Sequence, residues 1–302
     1  MTTADSENEA QSIHPSAKPA IGSGLTLVAT PIGNMGDLSP RALAALKAAD
    51  AVLCEDSRTT GAMLARLSVA TRLIPLHDHN EASELPRILQ MLGQGQKLAL
   101  VSDAGTPLVS DPGFRLARAA IAAGLPISAI PGPNAAVMAL VLSGLPPEPF
   151  LFQGFLPPRT AARQTALGQL KALEQAGLAA SLIFYEAPHR LAESLADMAG
   201  AFGQERPAAV AREMTKRFEE VRRGSLGDLA AHYANAEARG EICIVVGPAT
   251  EAVVSDAEVT TQLRAALESG LSVKDAAEAV AKATGRKRRD VYREALSLLS
   301  ST

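Results

Sequence analysis

Five segments in the N-terminal half of the chain concentrate residue types that hold ligands or move protons. In chain order they read ATPIGNMGDLSP, EDSRTTG, HDHN, SDAGTPLVSDPG and PGPNAA, and each follows a short apolar run. Glycine lets a backbone approach a ligand closely and proline stiffens its path, as Gly105 and Pro112 would in the fourth segment. One such segment is as readily a structural turn, but five of them favour a ligand site.

The signatures of several common chemistries are absent from the sequence. There is no GxxxxGK[ST] phosphate loop, no GxGxxG between a strand and a helix, and no G-x-S-x-G nucleophile elbow. The consecutive residues His77, Asp78 and His79 would alternate between the two faces of a strand end. No third histidine or cysteine lies nearby in the sequence. We therefore expect no metal ion. The sequence also gives little support for ATP or NAD as the ligand, or for serine-dependent hydrolysis as the reaction.

The elements that would position these segments alternate between strand and helix patterns. Over residues 24–143 short apolar runs take turns with amphipathic stretches, which predicts an α/β domain around a mostly parallel sheet. Ser39 and Pro40 predict a helix start, and Gly93 and Gly124 predict helix ends. In an open sheet of this kind ligands bind beyond the carboxyl ends of the strands, where all five segments would lie.

Two further units are predicted after the proline-rich segment GLPPEPF. Residues 149–248 form a second α/β domain, in which AAVAREMT and EEVRRGS predict an antiparallel hairpin within a mixed sheet. Residues 255–302 predict a small helical domain of helix-turn-helix type, with three short helices separated by Gly270 and Gly285. Residues 1–23 have the composition of a disordered tail.

Composition narrows the class of protein. A chain of 302 residues with 47% hydrophobic content is globular rather than fibrous, and a formal net charge of −3 gives no overall attraction to nucleic acid. Cys54 and Cys243 each lie in an apolar run, which is typical of core residues in a reducing compartment. With no signal peptide and no uninterrupted apolar stretch of about 20 residues, we expect a soluble cytoplasmic protein without membrane contact.

One stretch near the C-terminus is strongly basic. Residues 282–293 contain six cationic side chains against the single acid Asp290. These are Lys282, Arg286, Lys287, Arg288, Arg289 and Arg293. A solvated helix face explains such a run, and so does a surface that contacts nucleic-acid phosphates; the sequence leaves both open.

Taken together, the motifs resemble those of a known family. ATPIGNMGDLSPRA, LCEDSRTT, VSDAGTPLVSDPG, IPGPNAAVMAL, FLPP, FYEAPHRL, REMTKRFEE and GEICIVV are similar to motifs of the bacterial small-subunit ribosomal RNA cytidine 2′-O-methyltransferases. These enzymes are a branch of the tetrapyrrole (corrin/porphyrin) methylase superfamily. The resemblance covers residues 24–247, and the three C-terminal helices resemble a domain appended in that branch. Where the superfamily usually has GxGxGD, this chain has ATPIGNMGD, which fits the RNA-modifying branch.

The resemblance implies a fold, a cofactor and a reaction. It implies two α/β domains that hold S-adenosylmethionine in the cleft between them, and a homodimer. The implied reaction is methyl transfer to the ribose 2′-hydroxyl of a cytidine, expected at position 1402, of 16S ribosomal RNA in the 30S subunit. Matched motif positions imply cofactor contacts at Pro31, Ala104, Gly105, Thr106, Val109, Asn134, Ala135, Glu186 and Met214.

The family resemblance also suggests residues for proton transfer and RNA contact. A general base would remove the hydroxyl proton, and its candidates are Asp56, His77, His79, Asp103, Glu186 and His189, with Asp56, Glu186 and His189 preferred. RNA contacts are predicted at Arg58, Arg190, Arg286, Lys287, Arg288 and Arg289. Each charged residue has an alternative role in an ordinary ion pair. Two other functions stay open: a methylase of small, tetrapyrrole-like molecules, and a nucleic-acid-binding regulator without enzyme activity.

Overall fold

A computed structural model of the protein describes residues 21–249 and 256–300. Most of the predicted N-terminal tail, residues 1–23, lies outside the described residues, as does residue 255 at the predicted start of the helical domain. The described chain contains two five-stranded sheets, followed by three C-terminal helices.

The first sheet is parallel throughout. Its strands are β1 (Gly24–Val28), β2 (Ala51–Cys54), β3 (Leu73–Pro75), β4 (Lys97–Leu100) and β5 (Ile127–Ile130), in the order β3-β2-β4-β1-β5. The helices are α1 (Pro40–Ala48), α2 (Ser57–Arg66), α3 (Glu81–Gly93), α4 (Phe114–Ala122) and α5 (Ala135–Ser143). Ser39 caps α1 by accepting a hydrogen bond from the Ala42 N–H, as predicted. Because all five strands run in one direction, the five segments follow their carboxyl ends at one edge of the sheet.

The second sheet is mixed. Its strands are β6 (Phe150–Phe155), β7 (Ser181–Glu186), β8 (Pro207–Arg212), β9 (Glu220–Ser225) and β10 (Ile242–Val246), in the order β6-β7-β10-β8-β9. Only β6 and β7 pair in parallel, and β8 and β9 form the predicted antiparallel hairpin. The helices are α6 (Thr160–Gln175), α7 (Leu191–Phe202) and α8 (Leu226–Asn235). The prediction of two α/β domains is therefore confirmed.

A shared apolar cluster joins the two α/β domains. Helix α5 is apolar on all sides, and its buried residues Ala139 and Leu140 belong to the same cluster as Ile183 on β7 and Val245 on β10. Burial of one apolar face of this helix against the second sheet stabilises the position of one domain against the other. The loops at the carboxyl edge of the first sheet are thereby held against the second sheet.

Three helices follow in the C-terminal region. They are α9 (Asp256–Glu268), α10 (Val273–Thr284) and α11 (Arg288–Ser300), which share a core that includes Val259, Leu263 and Val291. The Ser272 hydroxyl caps α10 by accepting a hydrogen bond from the Asp275 N–H at 3.2 Å. The predicted helical domain is confirmed. Across the described ranges, every helix is too short or too polar to cross a bilayer.

Candidate active site

A cavity of about 390 Å³ is lined by residues of both α/β domains. The first domain contributes residues 103–106 and 109–111 after β4, the start of α5, and Ile32. The second contributes the end of β7, the start of β10, and Met214 in the connection between β8 and β9. A cavity of this size and shared origin is typical of small-molecule sites.

The lining unites most of the predicted cofactor contacts. Eight of the nine line the cavity: Ala104, Gly105, Thr106, Val109, Asn134, Ala135, Glu186 and Met214. Pro31 does not, although its neighbour Ile32 does.

Backbone hydrogen bonds hold the loop after β4 in a fixed path. Thr30 and Gly105 exchange N–H···O=C bonds of 2.8 and 3.1 Å, which tie the loops after β1 and β4 together. Gly105 has φ +82°, and a Cβ built on it would lie 3.3 Å from the Ile32 Cγ2. The Thr106 hydroxyl donates to the Pro133 carbonyl at 3.0 Å, which ties this loop to the one after β5. These bonds account for Gly105 and Thr106 in the segment SDAGTPLVSDPG.

Glu186 is a buried carboxylate on the second-domain side of the cavity. Its oxygens accept hydrogen bonds from the Ala187 N–H at 2.8 Å, the Ser194 hydroxyl at 2.5 Å and the Arg190 Nη2 at 3.1 Å. Arg190 also donates to the Leu156 carbonyl at 2.7 Å, and its side chain is only 16% exposed. The structure therefore places the predicted RNA-contacting residue Arg190 in a mostly buried ion pair with Glu186. Glu186, with its lone pairs engaged, is arranged to position groups rather than to receive a proton.

Asp103 and Asp111 are carboxylates on the first-domain side. Burial, together with the nearby carboxylates of Glu55, Asp103 and Asp78, raises the pKa of Asp111 to about 7. Burial also raises the pKa of Asp103 and of Glu55. Asp111 is not among the proton acceptors that the sequence suggests; its only signal there is its place in SDPG, within a segment already predicted to line a site.

Two other polar side chains of the cavity are not proton acceptors near neutral pH. Burial raises the pKa of the Tyr185 phenol to about 12 and that of the Cys243 thiol to about 12. Cys243 and Cys54 are buried and unpaired, as expected for core residues. Within residues 21–249 and 256–300, no three His, Cys, Asp or Glu side chains are grouped so as to hold a metal ion.

Asp56 and Arg58 lie outside the cavity lining. Asp56 caps α2 by accepting from the Arg58 N–H at 2.8 Å, and the Arg58 guanidinium 2.7 Å away lowers the pKa of Asp56 to about 2. The Asp56 N–H donates to the Asp103 carboxylate at 3.3 Å, so its connection to the cavity runs through the backbone. The Arg58 side chain is 90% exposed and remains accessible to a large ligand.

The histidines also lie away from the cavity. His189 belongs to the turn 188–190 and lines a separate depression beside Tyr233. His77 and His79 follow β3, with ring centroids 6.0 Å apart. The prediction that five segments build one site is thus corrected: the segments after β1, β4 and β5 contribute to the lining, and those after β2 and β3 do not. The strand order explains this, because β2 and β3 lie beyond β4, away from β1 and β5.

The basic residues of the C-terminal helices are mostly exposed, and several have acidic neighbours. Arg286 pairs with Asp256 at 2.5 Å and Arg288 pairs with Glu278 at 3.2 Å. Lys287 and Arg289 are also exposed at the start of α11. The predicted RNA-contacting residues of this region therefore share one short, accessible segment.

Comparison with known proteins identifies the family. Residues 24–230 match the family described as Tetrapyrrole (Corrin/Porphyrin) Methylases, and residues 253–299 match the RsmI C-terminal HTH domain. The chain therefore belongs to the tetrapyrrole methylase family.

Its similarity is high to relatives named ribosomal RNA small subunit methyltransferase I. That of Mesorhizobium japonicum is 48% identical over 91% of this chain and 92% of the relative. That of Escherichia coli O157:H7 is 40% identical over 94% of this chain and 98% of the relative.

Solved structures show the same fold at lower identity. Uroporphyrin-III-C-methyltransferase from Thermus thermophilus aligns with a TM-score of 0.51 and 24% identity, covering 74% of this chain and 94% of that one. Diphthine synthase aligns with a TM-score of 0.58 and 15% identity, covering 74% of this chain and 89% of that one. These structural similarities support the fold assignment alone.

Proposed function

We propose that the chain is an S-adenosylmethionine-dependent ribosomal RNA methyltransferase that modifies the 2′-hydroxyl of a cytidine, at position 1402 of 16S ribosomal RNA, in the 30S subunit. Family membership and the relatives' shared name support the class of reaction and the ribosomal RNA substrate. The ribose position and the 30S context derive from the resemblance of the motifs.

One observation about the cavity carries the choice of cofactor. Among the described residues, the lining includes four carboxylates, Asp103, Asp111, Glu186 and Glu241, and no lysine, arginine or histidine. Such a lining suits a ligand with positive charge and disfavours a polyphosphate. S-adenosylmethionine carries a sulfonium and an ammonium group, and apolar residues such as Ile242 and Met214 offer contact surface for its adenine.

The residues that would hold the cofactor come from both domains. Residues 104–106 offer backbone groups in a path fixed by the Thr30–Gly105 bonds, and Asn134 caps α5 beside them. Met214 lies opposite, between Glu213 and Thr215, which both have positive φ. When bound there, S-adenosylmethionine supplies an electrophilic methyl group. The protein's contribution is to align the ribose oxygen with that group and exclude water.

Docking of the large RNA substrate is assigned to exposed cations. Arg58 lies at the same sheet edge as the cavity loops, and Arg286, Lys287, Arg288 and Arg289 lie in the C-terminal helical region. Only 3% of residues are aromatic, so phosphate and shape contacts rather than base stacking should dominate.

The proposal includes a homodimer, for which helix α5 offers a surface. Val137, Met138 and Val141 are exposed on α5, whereas Ala139 and Leu140 are buried against the second domain. A helix that is apolar on its exposed side as well favours a second protein surface there. The molar mass measured by light scattering at micromolar protein concentration tests this. A monomeric mass would contradict the proposed homodimer.

Methyl transfer to undermodified 30S subunits tests the proposed function. We expect label from S-adenosylmethionine to appear in 16S ribosomal RNA, and mass mapping to place it on the ribose of one cytidine; fully modified 30S subunits serve as the control. Label in a base would overturn the ribose assignment. Methylation of a tetrapyrrole with RNA ignored would favour the small-molecule methylase, and absence of any transfer with intact RNA binding would favour a regulator.

Charge reversal in the C-terminal segment tests the docking assignment. The triple variant Lys287→Glu, Arg288→Glu, Arg289→Glu should bind 30S subunits more weakly and flatten the dependence of log K on log salt, by about 0.7–0.9 for each phosphate that the protein no longer neutralises. Affinity for S-adenosylmethionine should not change. Arg239→Glu, at an exposed ion pair with Glu237, is the control for altered charge. Equal salt slopes for the triple variant and the wild type would rule out this segment as the docking surface.

A further inference from the structure

The four carboxylates of the cavity differ in the groups that already engage them. Glu186 accepts hydrogen bonds from three donors. Glu241 pairs with the Lys216 ammonium at 3.1 Å, and Asp103 accepts from the Asp56 N–H at 3.3 Å. Asp111 has no lysine or arginine partner within the described chain, and its one favourable neighbour is the Ser102 hydroxyl. It is therefore the carboxylate with the most free capacity to accept a proton.

The backbone around Asp111 is built to hold it at the junction of the domains. Leu108, Ser110 and Gly113 have φ of 72°, 67° and 111°, so the loop winds through three left-handed residues within six positions. A Cβ on Gly113 would lie 2.5 Å from the Leu100 Cδ2, which only glycine avoids. The Ser110 Oγ lies 3.2 Å from the position of a Cβ on Gly154 of the second domain, so this part of the loop abuts β6. Asp111 is thus placed where the two domains meet over the cavity.

We infer that Asp111 is the residue that accepts the proton of the ribose 2′-hydroxyl during methyl transfer. This assignment rests on the proposed function. In the step, the ribose oxygen forms a bond to the methyl carbon while the carbon–sulfur bond breaks and its electron pair stays on sulfur. The hydroxyl proton passes to an Asp111 carboxylate oxygen, so charge and atoms balance: a sulfonium and a carboxylate become a thioether and a carboxylic acid.

The electrostatic surroundings suit this role. Burial, together with Glu55, Asp103 and Asp78, which face Asp111, raises its pKa to about 7, whereas the Ser102 hydroxyl lowers that pKa. The side chain of His77 partly offsets the increase in the pKa of Glu55. A general base is most effective when its pKa lies near the working pH, because it is then ionised yet still attracts protons. An ordinary exposed aspartate would be ionised but too weak a base.

Asp111→Asn is the direct test. We expect kcat on undermodified 30S subunits to fall by about 10²–10⁴-fold, the usual range for loss of a general base. The affinity for S-adenosylmethionine, measured by calorimetry, should change little. Asp50→Asn is the matched control, because Asp50 precedes β2 at the opposite edge of the same sheet, where it accepts from the Lys97 N–H at 2.7 Å. It should keep wild-type kcat.

The pH profile supplies a readout that a structural role would not move. Because the acceptor must be ionised, wild-type kcat should rise with pH and reach half of its maximum near pH 7. Glu55→Gln removes a carboxylate that raises the pKa of Asp111, so the rising limb should move to lower pH, whereas Asp111→Asn should lack that limb.

The outcomes separate this inference from the proposed function. Asp111→Asn with kcat within about threefold of the wild type would overturn the inference alone, as would an unshifted limb in Glu55→Gln. If Asp111→Asn does not fold, the Glu55→Gln profile decides. A wild-type protein that binds S-adenosylmethionine but methylates no 30S subunit would overturn the proposed function and this inference with it.

Discussion

The first and second α/β domains contribute walls of different chemistry to one cavity. On the first-domain side, Asp103 and Asp111 follow a parallel strand and lie near other acids, and neither has a lysine or arginine partner among the described residues. On the second-domain side, Glu186 ends a strand flanked by an antiparallel neighbour and is engaged by Ser194 and Arg190. Both walls present carboxylates to the same space.

The contrast shows that a carboxylate's chemistry is decided by its partners rather than by its residue type. Donors around Glu186 engage its oxygens and make it a structural link between β7 and α7. Like charges around Asp111, together with burial, make its ionised form costly and its affinity for a proton high. One wall is suited to rigidity and the other to proton transfer.

The largest effect is expected when the carboxylate of Glu186 is removed from the second-domain side of the cavity. Glu186→Ala leaves the Arg190 guanidinium, 16% exposed, without its partner and the Ser194 hydroxyl without an acceptor. Removing one partner of a buried ion pair costs about 3–5 kcal/mol in the free energy of unfolding. Urea denaturation measures the loss.

Glu193→Ala is the control for Glu186→Ala. Its side chain is 69% exposed and lies 3.3 Å from Arg163, which keeps a second partner in Asp197. An exposed carboxylate of this kind should contribute less than about 1 kcal/mol. Equal urea midpoints for the two variants would contradict the assignment of Glu186 as a structural anion.

An intermediate effect is expected in the backbone of the first-domain wall. Gly105→Ala places a Cβ at φ +82°, which costs about 1–2 kcal/mol, and sets it 3.3 Å from the Ile32 Cγ2. If that cost falls on the bound conformation, affinity for S-adenosylmethionine should drop about tenfold in calorimetry. Gly93→Ala, at the end of α3 with nothing within 4 Å of the added Cβ, should leave it unchanged. Unchanged affinity for S-adenosylmethionine in Gly105→Ala would show that this loop does not form part of the cofactor site.

A smaller effect should appear in the pH dependence of stability. The pKa of Asp111 is raised to about 7 from 3.8, so between these pH values the folded protein binds more protons than the unfolded chain, and stability falls as pH rises through that window. Asn mimics the protonated acid. Asp111→Asn should therefore raise the Tm at pH 8, by on the order of 2 °C for a half-buried group, and leave it unchanged at pH 4. A lower Tm at both pH values would show that ionised Asp111 stabilises the fold.

Much of the fold was predictable because its signals are local. Alternating apolar runs, the Ser39 cap and the β8–β9 connection depend on neighbours in the chain. The order of the strands depends on tertiary packing, so composition alone gives all five segments equal weight, although the segments after β2 and β3 contribute no residue to the cavity lining. The spacing of residues along the sequence does not reveal how close each segment lies to the cavity.

The roles of the carboxylates were harder to predict than their positions. Asp56 preceding Ser57 and Arg58 carries a cap signal, and Glu186 and Arg190 have the i, i+4 spacing of an ion pair, so both could have been read as structural. Asp111 offers no comparable signal, because its pKa depends first on burial and then on Glu55, Asp103 and Asp78, which lie in other segments or earlier in its own loop. A charge environment assembled from distant segments emerges only in the folded chain.

The smallest effect is expected at Tyr185, another polar group on the second-domain side of the cavity. Its ring packs edge-on against Phe152 and Phe155 at centroid distances of 4.9 and 5.6 Å, and burial raises the pKa of its phenol to about 12. Tyr185→Phe keeps the ring and removes a hydroxyl that stays neutral at working pH, so the free energy of unfolding should change by less than about 1 kcal/mol. The rising limb of kcat near pH 7 should remain where it is in the wild type. Loss of that limb in Tyr185→Phe would mean that the second-domain wall also takes part in proton transfer, and the division between a rigid wall and a proton-accepting wall would fail.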